Sequence, residues 1–76
     1  MKYFKLGDKV KVSSENDNEG YDEFRNQILT IVHVAKNRQD HPGYDSGMNG
    51  EPLYDLEDEF GENVGSSLYF YELEEA

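Results

Sequence analysis

The sequence predicts an all-β domain: a small barrel of about five short strands, with long polar loops and one short helical turn before the last strand. Three observations lead there. Charged and β-branched residues alternate through Lys9-Val10-Lys11-Val12, the signature of a half-buried strand. Ile28 to Ala35 is a nearly unbroken apolar run rich in β-branched side chains. No segment sustains the i, i+3, i+4 apolar spacing of an amphipathic helix. At 76 residues the whole of 1–76 reads as one domain, with no internal repeat and no dividing linker.

The first strand opens after a turn at Gly7-Asp8. Residues 13–27 are dominated by Ser, Asn, Asp and Glu and form a long polar loop, which Phe24 is placed to pin to the body. Ile28–Ala35, apolar on both faces at its middle, is expected to be the central strand. Pro42, Gly43, Gly47 and Gly50 make residues 36–51 neither helix nor continuous strand. Leu53 to Glu57 forms a third strand, and Asp58-Glu59-Phe60-Gly61 turns it back into a short fourth around Asn63-Val64. Gly65-Ser66-Ser67 should then break the pairing, with Ser66 or Ser67 capping a helical turn through Leu68-Tyr69-Phe70. Tyr71-Glu72-Leu73-Glu74 completes the set as the last strand. The expected core draws on Val10, Val12, Ile31, Val32, Leu53, Leu56 and Leu73 together with about half of the aromatic residues.

This order of elements resembles an SH3-like barrel. Lys5-Leu6-Gly7-Asp8-Lys9-Val10-Lys11-Val12 looks like the opening strand of Tudor, KOW and related barrels. Tyr54 to Asp58 followed by Gly61 to Val64 is similar to their central hairpin, and Ser67 to Glu74 to their closing turn and strand. More narrowly, His41-Pro42-Gly43-Tyr44-Asp45, Leu53-Tyr54-Asp55-Leu56 and the Ser67–Glu74 ending resemble small uncharacterised proteins of bacteriophages and mobile elements. That resemblance implies a phage origin and hence the host cytoplasm. It brings no activity with it.

Charge is the most pronounced feature of the composition. Seventeen acids oppose seven bases, for a formal net charge of −10. Residues 1–11 carry Lys2, Lys5, Lys9 and Lys11 against Asp8, whereas residues 51–76 hold nine acids and no base. Such a field repels phosphate backbones, so direct nucleic-acid binding is disfavoured and only the lysine stripe argues for it. A protein partner with a basic or mixed surface is attracted instead; the simpler alternative is that acidity keeps a small domain soluble. No stretch approaches the ~20 apolar residues of a membrane span, and the charged N-terminal segment is unlike a signal peptide, so a cytoplasmic protein is expected.

The chain has no cysteine, which excludes disulfides, Cys-ligated zinc and iron–sulfur clusters. Glu15, Asp17 and Glu19 before Gly20 imitate the start of a calcium loop, but Asn26 falls where a bidentate Glu is needed. Asp40, His41 and Asp45, with His33 on the preceding strand, offer metal-ligand types without a demanding spacing. Phosphate-loop and nucleophile-elbow patterns are absent. The sequence therefore predicts no enzyme and no cofactor.

What remains is a surface. Barrels of the type this chain resembles bind through aromatic residues between the first long loop and the central hairpin, which here implies Tyr21, Tyr44 and Tyr54. The neighbouring acids Glu57, Asp58, Glu59 and Glu62 complete the expected contact surface. The leading expectation is a non-enzymatic protein-binding module. Two alternatives accompany it: an acidic nucleic-acid mimic that occupies the groove of a host or defence protein, and capture of a small polar ligand by residues 36–51 through Lys36, Arg38 and His41.

Overall fold

The computed structural model describes residues 3–16, 19–45, 47 and 51–76. It contains five strands: β1 (Lys9–Val12), β2 (Leu29–Ala35), β3 (Leu53–Glu57), β4 (Asn63–Tyr69) and β5 (Leu73–Glu75). Among the described residues the helical elements are two single 3-10 turns, Glu19–Tyr21 in the first long loop and Phe70–Glu72 between β4 and β5. All strand pairings are antiparallel, in one sheet of order β4-β3-β2-β1-β5. The expectation of an all-β chain with Ile28–Ala35 in the centre of the sheet holds, with β2 starting one residue later.

The sheet is not closed: β4 and β5 are its two edges. It is nonetheless strongly curled, and chain geometry requires this. Laid flat, five strands would put the outer two about 19 Å apart, at roughly 4.8 Å per spacing. The chain from Tyr69 to Leu73 can span at most about 14 Å even when fully extended. The Phe70–Glu72 turn therefore draws the two edges toward one another and wraps the sheet around its core.

Two bulges set which side chains face that core. In the β2–β3 ladder Ile31 pairs with Leu56 and His33 with Asp55, so Val32 is the extra residue. The insertion reverses the alternation. Leu29 and Ile31 face the main core before it, Val34 packs on that core after it, and Ala35 turns to the opposite face. Val32 and His33 are consequently both exposed, which corrects the reading of this strand as apolar on both faces and of Val32 as core.

A second irregularity lies in the β3–β4 ladder, between Asp55↔Ser67 and Glu57↔Asn63. Gly65 sits there at φ +82°, a conformation that costs any residue with a Cβ. The expected break at Gly65-Ser66-Ser67 is thus a bulge within a continuous strand. β4 runs on to Tyr69, and the helical turn falls at Phe70–Glu72 rather than 68–70. Glu72, not Ser66 or Ser67, holds the start of this turn: its Oε1 accepts the Tyr69 backbone N–H at 2.9 Å.

The main core comprises Val10, Val12, Phe24, Leu29, Ile31, Tyr54, Leu56, Leu68 and Leu73, with Phe4, Tyr21, Val34, Val64 and Phe70 packed against it. Phe24 pins the first long loop, as its position in the sequence suggests. A smaller cluster of Ala35, Tyr44 and Leu53, with Tyr69 against it, seats the 36–52 connection on the other face of the sheet.

Candidate functional site: the acidic hairpin tip

The β3–β4 connection is built by Asp58. Its backbone N–H donates to the Glu62 carbonyl (2.8 Å), and its own carbonyl accepts the Gly61 N–H (3.1 Å). Its side-chain Oδ1 accepts the N–H groups of Phe60 (2.8 Å) and Glu62 (3.0 Å). Gly61 supplies the φ of +80° that the turn requires. These bonds hold Phe60 at the apex, where it is 86% exposed. It is the most exposed of the large apolar side chains described, ahead of Leu6 at 66% and Tyr71 at 65%.

Carboxylates flank Phe60 along the chain. Glu59 and Glu62 are exposed and Glu57 is half-buried beside them. At the hairpin base lies a shallow cavity of about 210 Å³, lined by Glu23, Gln27, Asp58, Glu62 and Asn63 around Phe24 and Val64. Glu23 joins this group from the first long loop, a contribution absent from the sequence reading; only the pinning of that loop by Phe24 could have suggested it. The four acids expected as a contact surface thus come together on one hairpin, with Asp58 in a structural role.

The three tyrosines do not join them. Tyr54 is 0% exposed and Tyr44 3% exposed, so the expectation that they anchor a partner is corrected. Tyr54 is a centre of the main core, and its hydroxyl donates to the Phe4 carbonyl (3.1 Å). The Tyr44 hydroxyl donates to the Glu51 carbonyl (2.6 Å) and closes the 36–52 connection. Tyr21 is half-buried against the core and donates to Glu72 Oε2 (2.9 Å). Burial pushes the Tyr54 and Tyr21 phenols up to about 12, with the Glu72 carboxylate adding to the rise at Tyr21. The sequence reading passed over Phe60, the most exposed of the described aromatic residues, ahead of Tyr71 at 65%.

On the opposite face, the row His33–Asp55–Ser67 crosses three strands in register. His33 Nδ1 lies 3.2 Å from Asp55 Oδ2, and His41 Nε2 lies 3.4 Å from Asp55 Oδ1 and 3.1 Å from Ser67 Oγ. The Ser67 hydroxyl donates to Asp55 Oδ1. Serine, histidine and aspartate together invite comparison with a nucleophilic triad, but the proton positions oppose it. The Gly43 N–H donates to His41 Nδ1 (2.9 Å), so the proton of the neutral ring is on Nε2, the nitrogen that faces Ser67. A serine nucleophile needs an unprotonated nitrogen there. The cluster is instead a tether that holds the 36–45 segment to the sheet.

His41 is thus held between the Gly43 N–H, Asp55 and Ser67. Asp40 and Asp45 are also engaged locally, accepting the N–H groups of Lys36 and Gly47. No group of three His, Asp or Glu residues among those described is arranged to hold a metal ion. Asp17 of the calcium-like segment lies outside the described residues. Of the lysine stripe, Lys9 Nζ donates to Thr30 Oγ1 (2.7 Å), Lys11 pairs with Glu74 (3.7 Å), and Lys2 is outside the described residues. No helix of the described residues is long and apolar enough to cross a membrane. No family model, curated protein or solved structure matches the chain.

Proposed function

We propose that this protein is a non-enzymatic binding module whose β3–β4 hairpin inserts Phe60 into an apolar pocket of a basic partner protein. The exposed Phe60, at the apex of a hairpin that also carries Glu57, Glu59 and Glu62, supports the reading. Burying one such ring contributes about 1.5–3 kcal/mol, enough for an interface hot spot. The carboxylates act at a different stage, steering a positively charged surface during encounter. The nine acids of residues 51–76, a segment with no base of its own, extend that field, although Glu74 is paired with Lys11.

The experiment uses the full chain as bait on bacterial lysates, the source to which the phage and mobile-element resemblance directs the search, with Phe60→Ala and a quadruple amide variant of Glu57, Asp58, Glu59 and Glu62 as paired baits. The module requires a captured protein that wild type retains and Phe60→Ala loses, with affinity weakened roughly 10- to 100-fold. A partner indifferent to both variants overturns the reading. A partner that is a nucleic-acid-handling protein, displaced by DNA or RNA and indifferent to Phe60→Ala, establishes the acidic mimic in its place.

A further inference from the structure

We propose a second binding site at the open seam of the sheet, where an extended peptide with alternating basic and apolar residues adds as a strand to the free edge of β5. The register shows which backbone groups are on offer. The Ser13 N–H donates to the Glu72 carbonyl (2.9 Å), and the Ala76 N–H donates to the Lys9 carbonyl (3.3 Å). In an antiparallel ladder, bonded and non-bonded residues alternate, so 72, 74 and 76 face β1 while Leu73 and Glu75 turn their backbone groups outward. The Leu73 N–H is taken by the Phe70 carbonyl. That leaves the Glu75 N–H, the Glu75 carbonyl and the Leu73 carbonyl without a backbone partner among the described residues.

These groups border a cavity rather than bare solvent. The N-terminal segment runs past β5 and leaves a groove of about 600 Å³, lined by Tyr3, Phe4 and Phe70 with Lys5, Asp8, Leu73, Glu74 and Glu75. Its aromatic side chains pack on one another. Tyr3 meets Phe70 edge-on with centroids 5.0 Å apart, and Phe4 lies 5.0 Å from Phe70. Phe4 is in turn fixed by the Tyr54 hydroxyl. The same lining carries the carboxylates of Asp8, Glu74 and Glu75 beside Lys5. Glu74 is already paired with Lys11 (3.7 Å) and accepts the Ser14 N–H (2.6 Å), which leaves Asp8 and Glu75 to meet a basic side chain.

An extended peptide offers two sets of side chains to this lining, because its side chains alternate in direction. Apolar residues meet the rings and basic residues the carboxylates, while its backbone satisfies the outward groups of β5. The site shares no residue with the hairpin tip, so it stands or falls independently of the Phe60 reading. The opposing view is that two glutamates on a three-residue edge strand merely discourage pairing.

A capped heptapeptide of alternating lysine and isoleucine, titrated into the isotopically labelled full chain and followed by NMR, decides between them. Strand addition requires shifts at the Glu75 amide and at the rings of Tyr3, Phe4 and Phe70, with slowed exchange of the Glu75 N–H. The same peptide N-methylated at alternate residues should bind roughly tenfold more weakly or worse, since it cannot donate the ladder bonds. Glu75→Pro removes one outward N–H without touching the bonds to β1, and should cause a comparable loss in a folded protein. Phe60→Ala should bind the peptide like wild type. Equal affinity for the N-methylated peptide, shifts confined to residues 57–62, or no shift at β5 overturns the proposal.

Discussion

Tyr54 provides the sharpest test of how this small domain is held together. The ring is fully buried at the centre of the main core, 6.0 Å from the Phe4 ring, and its hydroxyl satisfies the Phe4 carbonyl. Tyr54→Phe keeps the ring and removes that bond, leaving a carbonyl unpaired, at a cost of about 1–2 kcal/mol. Tyr54→Ala also opens a cavity and should cost about 3–5 kcal/mol. For a 76-residue chain the unfolding entropy is about 160 cal/mol/K, from roughly 2.1 cal/mol/K per residue, so each kcal/mol lowers Tm by about 6 °C. Tyr54→Phe should then melt about 6–12 °C below wild type. Tyr54→Ala should be largely unfolded at room temperature, because a core of this size supplies only about 3–5 kcal/mol in all. Circular dichroism melts, with guanidinium titrations as a second probe, read both. A Tyr54→Ala protein that melts within a few degrees of wild type would refute the core placement and return Tyr54 to the surface.

Other consequences follow from the same contacts. Asp58→Ala removes both side-chain bonds of the hairpin turn and should cost about 1–2 kcal/mol, with faster amide exchange at Phe60 and Glu62; unchanged exchange would mean that the turn forms without it. His41→Ala should release the 36–45 segment, seen as faster exchange of the Gly43 amide, while β1 and β5 stay protected. Tyr21 and Tyr54 are raised in the folded state from 10.0 to about 12, so folding holds their protons more tightly than the unfolded chain does. Their contribution is complete below pH 10 and is lost as pH rises toward 12, so Tm should fall across that window. Tyr21→Phe should flatten part of the decline.

The alternation in Lys9–Val12, the apolar weight of residues 28–35 and the turn residues at 58–61 were legible in the sequence, because each is a local signal. What was not legible depended on partners far along the chain. Val32 reads as core until the one-residue bulge opposite β3 reverses the alternation. Gly65 reads as a strand breaker, and nothing local distinguishes a break from a bulge at positive φ. Tyrosine is ambiguous by chemistry. Its ring suits a core and its hydroxyl suits a rim, and Tyr54 resolves toward the core because the carbonyl that satisfies it belongs to Phe4, fifty residues away. The acids of the hairpin were found from charge alone, whereas Phe60 among them required knowing which aromatics the core leaves exposed.

The measurement closest to the central claim is the association and dissociation kinetics of a captured partner with wild type, Phe60→Ala and the quadruple amide variant at several salt concentrations. Exposed carboxylates act over a Debye length of about 8 Å at physiological ionic strength, so the amide variant should associate more slowly and lose most of its salt dependence. Phe60→Ala should associate at nearly the wild-type rate and dissociate roughly 10- to 100-fold faster. Unchanged dissociation from Phe60→Ala, together with wild-type association of the amide variant at low salt, would contradict the account and leave the acidic hairpin as a solubilising surface.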